Sequence, residues 1–285
     1  MKIFVTGATG FLGGNFLEHA LRAGHEVVAV CRVKKGIYEA LGLTWIESRL
    51  DSLPRECMTG CDVLVHFAAA GVSPKIATQH ELTYWNVEVP LELLKLASEC
   101  GVRRAVLAGS FSEYGHTASH YELIPPNAPL FPIDAYAASK AACFVSSYAA
   151  AIGLGLEFCY LRVFSAYGEG QFDGNFWPSL RRAALNGDDF NMSPGAQIRD
   201  YIEVNEVSHE FLYALTRNDI QVKRPMVWNI GSGNPVSISQ FAEYWWQYFN
   251  ASGELKIGSL PYRTNEMMRY VPLITESSKQ SGVLI

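Results

Sequence analysis

The chain has 285 residues, and its 28 Asp and Glu outweigh 23 Lys and Arg to give a net charge of -5. That balance, with no basic run, excludes nucleic acid as the main partner. The length suits one large domain or two closely joined ones. No apolar run reaches the roughly 18 residues that span a bilayer, so no membrane partner is expected. Met1–Val5 leads straight into a strand and is broken by Gly7, too soon for a secretory segment, so a cytoplasmic protein is expected. The six cysteines are scattered without a completed ligand spacing, and no metal is expected.

Residues 2–6 read as a short buried strand, 7–14 (Gly-Ala-Thr-Gly-Phe-Leu-Gly-Gly) as a turn, 15–23 as a helix and 26–30 as a second strand. This is a βαβ unit whose glycines let the backbone turn tightly and approach a pyrophosphate at a helix N-terminus. The spacing is G-x-x-G-x-x-G, so dinucleotide binding is expected on context as much as on pattern. An NAD site usually has Asp or Glu at the end of the second strand to accept from the adenosine ribose. Here Cys31-Arg32-Val33-Lys34-Lys35 follows, and a guanidinium at that place pairs with a 2′-phosphate, so NADP(H) is expected ahead of NAD(H).

A third strand is expected at 43–47, with Asp51 in a turn where its carboxylate meets adenine. A fourth, 62–71, ends in small residues that leave room for a cofactor, and His66 within it reads as a packed histidine. A helix over 81–100 carries Asn86, and a fifth strand, 104–110, ends at Ser110. Residues 116–134 read as a loop. In Tyr136-Ala137-Ala138-Ser139-Lys140, the spacing of four puts phenol and ammonium one turn apart on one helical face. A cation there favours phenolate and is expected to draw the Tyr136 pKa down from its usual value of about 10. That helix is expected to run to about Ala151, followed by a sixth strand at 156–162.

Beyond Phe164 come a glycine-rich loop, 168–175, a helix at 176–186, a strand at 199–204, a helix at 205–217 and a returning strand at 226–230. Alternating strands and helices imply an α/β fold with a Rossmann-like, doubly wound parallel sheet. A smaller C-terminal substrate-binding domain completes the expected architecture. The expected division is 1–164 for the dinucleotide-binding part, with 200–230 returning to it, and 165–285 for the remainder. Trp245 and Trp246 read as packed core residues ahead of a stacking face.

With these pieces in place the chain resembles the extended short-chain dehydrogenase/reductase superfamily, in its nucleotide-sugar epimerase, dehydratase and reductase branch. The resemblance rests on Thr6–Gly13, His66-Phe67-Ala68-Ala69, Ser110 four residues before Tyr114-Gly115, and Tyr136-x-x-x-Lys140. It continues through Leu161-Arg162-Val163-Phe164, Tyr167-Gly168, Arg199-Asp200-Tyr201-Ile202, Asn229–Gly233 and Arg263-x-x-Glu266. It implies Ser110, Tyr136 and Lys140 as catalytic groups. Gly7, Thr9, Gly10, Phe11, Leu12, Gly13, Arg32, Asp51, Phe67, Ala68, Ala69, Asn86, Tyr136 and Lys140 are implied as cofactor contacts. The partner implied is a nucleotide diphosphate-sugar, gripped by Ser112, Asn175, Arg199, Arg263 and Glu266, and the assembly implied is a homodimer. Relatives of this kind carry a further helix, so the chain is expected to be short or incomplete after Ile285.

Four departures narrow the expectation. Dehydratases of the group carry Asp-Glu just after the catalytic Ser or Thr, where this chain has Phe111 and Ser112. Epimerases usually have Asp where Cys31-Arg32 stands, and the family's Asn and His are replaced by Ser165 and Glu203. The expected activity is NADPH-dependent reduction of the C4 ketone of a nucleotide-linked 4-keto-6-deoxyhexose, in deoxysugar biosynthesis. The alternatives are an NAD-dependent nucleotide-sugar 4-epimerase and a non-catalytic dinucleotide-binding sensor.

Overall fold

The computed structural model describes residues 1–34, 38–72, 76–264 and 266–274. The thirteen strands among them are β1 (Lys2–Thr6), β2 (Glu26–Cys31), β3 (Leu43–Glu47), β4 (Val63–His66), β5 (Arg104–Ser110), β6 (Glu157–Val163), β7 (Ser165–Tyr167), β8 (Phe190–Met192), β9 (Ile198–Glu203), β10 (Met226–Ile230), β11 (Pro235–Ser237), β12 (Leu255–Ile257) and β13 (Arg269–Tyr270). The helices are α1 (Phe11–Arg22), α2 (Gln79–Thr83), α3 (Val89–Glu99), α4 (Ala135–Leu154), α5 (Phe176–Asn186), α6 (Val204–Thr216) and α7 (Ile238–Tyr248).

Seven strands pair in the order β10-β6-β5-β4-β1-β2-β3, every pair parallel. Such a sheet is covered on both faces, so its strands read as continuous apolar runs. Successive side chains nevertheless serve opposite layers. Ile3, Val5, Val63, Val65, Cys159 and Leu161 pack with Phe16 of α1 and Phe211 of α6. Phe4, Leu64, Phe158 and Tyr160 pack with Leu93 of α3 and Cys143 of α4 on the other side. Between β1 and β4 the strand order reverses, and in doubly wound sheets the crevice outside the strand ends at that point is where ligands bind.

The remaining strands make a smaller layer. β9 pairs with β7, β11 and β13, while β8 and β12 pair with each other beside α5 and α7. β10 and α6 belong to the large unit: β10 is the sheet's edge, and α6 packs along α1.

Several boundaries differ from expectation: β4, expected over 62–71, ends at His66, where Phe67 and Ala68 meet the Gly7 backbone, and α4 runs to Leu154. α1 begins at Phe11 and not at Asn15, with Gly10 as its N-cap, so Gly13 and Gly14 lie inside the helix. A Cβ on Gly13 would sit 2.2 Å from the Gly7 carbonyl oxygen, so close helix–strand packing overrides glycine's poor helix propensity. The stretch expected as a loop over 116–134 opens with a short 3₁₀ turn, His116–His120. A second feature escaped the periodicity: between α2 and α3 the helix widens into a π turn, Tyr84–Glu88, with Asn86 buried inside it.

α4 is capped by Asp134, which accepts from the Ala137 N–H at 2.7 Å, and is stopped by Gly155 at φ 70°. No run that long was expected, yet α4 is the one helix among the described residues long and apolar enough to cross a membrane. In this fold it packs on α3 and against β5 and β6.

Candidate functional site

The first component is the turn after β1. Gly7 has φ +74°, and a Cβ there would lie 2.6 Å from the Ala68 nitrogen, so the two strand ends meet backbone to backbone. α1 starts without a side-chain cap and without an acidic residue in its first turn. Its first N–H groups, from Phe11 to Gly13, therefore point outward beside a positive dipole end, which suits a pyrophosphate. These residues fit a dinucleotide. Thr9, Phe11 and Leu12 lie in the same turn, and Phe67, Ala68 and Ala69 form the facing wall at the end of β4.

Arg32 is exposed at the end of β2, and Cys31 before it is buried, with its thiol against the Ile46 carbonyl oxygen. Neither residue is Asp or Glu, although Glu47, paired with Cys31 from β3, brings its carboxylate 3.4 Å from the Lys34 N–H. Lys35, in the same basic cluster, falls outside the described residues. Asp51, expected to meet adenine, is already engaged by Arg49 at 2.7 and 2.9 Å and by the Tyr84 hydroxyl at 3.0 Å. The Arg49 hydrogen bond is the chief reason its pKa falls to about 2.

The second component joins β4, β5 and α4. Asn86 accepts from the Ala70 N–H at 2.7 Å and donates to the Ala70 oxygen at 3.0 Å and the Ser139 hydroxyl at 2.9 Å. Ser139 donates to the Tyr136 carbonyl at 2.7 Å. Asn86, expected as a cofactor contact, thus straps the crevice wall to the helix carrying Tyr136. Gly71 lies beside the same contact: a Cβ there would come 2.5 Å from the Leu82 side chain and 3.6 Å from the Tyr136 ring. His66 bonds Thr6 across the switch point at 2.7 Å. Burial, and then the Lys140 charge, hold it neutral with a pKa near 3.

Ser110 ends β5 and caps the 3₁₀ turn Phe111–Tyr114; its hydroxyl lies 2.8 Å from that of Ser112. The half-buried Tyr136 phenol lies near enough for Lys140 and Ser110 to favour its ionised form. Lys140 is buried and donates to the Ala108 oxygen at 2.7 Å. The structure therefore brings Ser110, Tyr136 and Lys140 together at the carboxyl end of β5.

The expected pKa direction is corrected. Burial pushes the Tyr136 phenol up, and Lys140 and then Ser110 offset only part of the rise. Removing the phenolate from water outweighs one cation that is shared with a carbonyl.

The residues expected on the diphosphate are distributed unequally. Arg199 and Glu266 pair with each other at 2.8 Å, and Arg199 also bonds the Ile198 and Met267 carbonyls. Arg199 is thereby fixed beneath Tyr270, 5.4 Å from the ring centroid. Arg263 is exposed and has no ion pair with a described residue. Asn175 caps α5 by backbone alone, leaving its amide without a capping bond. A cleft of about 700 Å³, walled by Tyr167, Tyr201, Glu203, Phe241 and Trp245, lies elsewhere and includes none of Ser110, Tyr136 and Lys140. Trp246 is packed core as expected, whereas Trp245 faces this cleft.

Sequence reasoning missed Glu113, which is fully buried and bonded to Arg162, Tyr160 and the Ser110 N–H. One signal was there to find: Arg162 sits between Leu161 and Val163 near the end of an apolar strand and needs a buried anion.

A doubly wound sheet with a glycine turn at its switch point, and a Ser, Tyr and Lys gathered beside it, defines a dinucleotide-dependent enzyme of the extended short-chain dehydrogenase/reductase class. Residues 3–231 match the NAD dependent epimerase/dehydratase family, and the chain belongs to that family. It is similar to the UDP-glucose 4-epimerase of Corynebacterium glutamicum, at 28% identity over 85% of this chain and 79% of the relative. It is also similar to the CDP-abequose synthase of Salmonella muenchen, at 23% identity over 94% of this chain and 87% of the relative. Among solved structures, MoeE5 in complex with UDP-glucuronic acid and NAD superposes with a TM-score of 0.86 at 26% identity, covering 98% of this chain and 92% of that one.

Proposed function

We propose that this protein carries out redox chemistry at C4 of a hexose attached to a nucleotide diphosphate, using Ser110, Tyr136 and Lys140. A bound nicotinamide would accept or supply hydride. The observation that supports this reading is the gathering of Ser110, Tyr136 and Lys140 at the end of β5, with Lys140 buried on the Ala108 oxygen at 2.7 Å, beside a glycine turn that fits a pyrophosphate. Gly7, Gly10 and Gly13 would hold the phosphates, with Phe11 and Leu12 offering backbone N–H groups.

Tyr136 exchanges a proton with the C4 oxygen. Ser110 donates to the same oxygen and stabilises negative charge developing there. Lys140 keeps a positive charge one helical turn from the phenol, and Asn86 fixes the helix relative to the crevice wall. Arg263 and Asn175 are the groups proposed for the diphosphate, while Arg199 and Glu266 brace the wall behind it. We take residues 1–164, with α6 and β10, as the cofactor-binding part.

The relatives favour an NAD-dependent 4-epimerase, and we take that as the first reading. One observation favours a second: the residue that follows β2 is the exposed Arg32 and not Asp or Glu, as suits NADPH and a 4-ketoreductase. One set of assays separates them. Interconversion of UDP-glucose and UDP-galactose without added cofactor, with nicotinamide co-purifying, supports the epimerase. NADPH oxidation that depends on a CDP-, dTDP-, GDP- or UDP-linked 4-keto-6-deoxyhexose supports the reductase. Neither reaction with any member of the panel would overturn the proposal. A cytoplasmic homodimer through α4 is proposed with it, in keeping with the exposed Val145 and Tyr148 on that helix; light scattering tests the dimer.

A further inference from the structure

Directly behind Ser110 lies an ion pair that the chemistry above does not use. Glu113 is 0% exposed and Arg162 1%. One Glu113 oxygen accepts from the Ser110 backbone N–H at 2.7 Å and from the Tyr160 hydroxyl at 2.9 Å. The other accepts from Arg162 Nε at 2.7 Å. The same Tyr160 hydroxyl lies 3.1 Å from the Lys140 carbonyl oxygen, so its one proton is shared between the two acceptors. The guanidinium is held in turn: it donates to the Pro126 oxygen at 2.9 Å and lies 4.4 Å from the Phe144 ring centroid and 5.0 Å from that of Tyr114. One carboxylate thus binds the backbone of Ser110 directly and that of Lys140 through a phenol.

Burying two charges costs more than packing apolar residues of the same volume, unless the pair also fixes something else. Here it fixes the backbone of one reacting residue and the helix of the other two. Burial lifts the Glu113 carboxyl above the usual range, and Arg162 pulls against that rise.

We propose that Glu113, locked by Arg162, is a positioning residue: it fixes the Ser110 backbone at the end of β5, and it places a fixed negative charge on the β5 side of the Tyr136 phenol. The inference rests on the assignment of Ser110 and Tyr136 above. The charged groups facing Tyr136 are Lys140 and Asp134 from its own helix and helix start, and Glu113 from the β5 side. Of these, the two carboxylates disfavour phenolate and Lys140 favours it.

The test uses Glu113→Gln, which retains the shape and one acceptor but loses the charge. A second variant, Glu113→Gln with Arg162→Met, avoids leaving an unpaired guanidinium in the core. Tyrosine labelled at Cζ and followed by carbon NMR gives the Tyr136 titration without any substrate, its resonance assigned by its absence in Tyr136→Phe. The expected result is a fall of about 0.5 to 1 pH unit in the Tyr136 midpoint in Glu113→Gln, and a smaller fall in the double variant, where the Arg162 charge is lost as well. On whichever nucleotide sugar the wild type turns over, kcat falls about 10²-fold with little change in KM. A Tyr136 midpoint unmoved in folded Glu113→Gln would overturn the proposal, whatever happens to turnover. Normal turnover by Tyr136→Phe would instead overturn the assignment of the acid, while the NMR shift still reports on Glu113.

Discussion

His66 gives the most direct quantitative test of how this site is built. It is buried at the end of β4, bonded to Thr6, and held at a pKa of about 3 against 6.5 for the ordinary side chain, first by burial and then by Lys140. The unfolded chain therefore binds a proton that the folded protein refuses. Stability from this cause is complete above the unfolded pKa of 6.5 and is lost as pH falls from there toward 3. One pKa unit is worth about 1.4 kcal/mol, so the whole displacement amounts to roughly 4–5 kcal/mol, a large part of a typical domain's stability. Between about pH 7.5 and about pH 5 the loss from this residue alone is about 2 kcal/mol. Urea unfolding at those two pH values measures it. The partner experiment is His66→Asn, which keeps an amide near Nδ1 for Thr6 but cannot titrate. The variant is expected to be less stable at neutral pH yet to lose about 2 kcal/mol less on acidification. His25, whose pKa burial also lowers, is present in both proteins and cancels in the comparison. An equal acid loss in wild type and variant would refute the reasoning.

Other outcomes follow from the same geometry. Tyr136→Phe should bind the dinucleotide normally, by fluorescence titration, and lose about 10²–10⁴-fold in kcat. Because burial raises the Tyr136 phenol, the wild-type reductive rate should stay level through neutral pH and fall only in alkali, as the donor ionises; a fall beginning below neutrality would contradict this. Arg32→Ala should weaken NADPH by about 1.5–3 kcal/mol and leave NADH unchanged, measured by calorimetry. Gly13→Ala places a methyl 2.2 Å from the Gly7 oxygen, so dinucleotide affinity should drop below detection together with a lowered melting temperature.

The sheet was legible because a strand covered on both faces is apolar at every position, and β1, β2, β5 and β10 all have that signature. Tyr136 and Lys140 were legible because helical spacing alone puts them on one face. Several features were hidden because they depend on what lies across space. The start of α1 was masked by Gly13 and Gly14, whose low propensity is overridden by a contact with Gly7. The sign of the Tyr136 shift depends on burial, which a sequence spacing does not report. Arg199 and Glu266 were each read as facing a ligand, but their partner is the other of the two, 67 residues away in the chain. Glu113 reads as an ordinary polar residue in a turn until β6 delivers Arg162 beside it.

The π turn at Tyr84–Glu88 makes the helical connection behave as a counting device. A π turn holds one residue more than the helix on either side, and each α-helical residue rotates the chain by about 100°. The extra residue lets Asn86 face the crevice while Val89, Leu93 and Ala97 still face the sheet. Deleting any one residue between Thr83 and Val89 would let the helix run regularly and turn one of those two faces outward by about a quarter-turn or more. The protein would then have to choose between its core and its crevice wall. Substitutions in this stretch are graded perturbations, whereas a change of length by one residue acts as a frameshift in space.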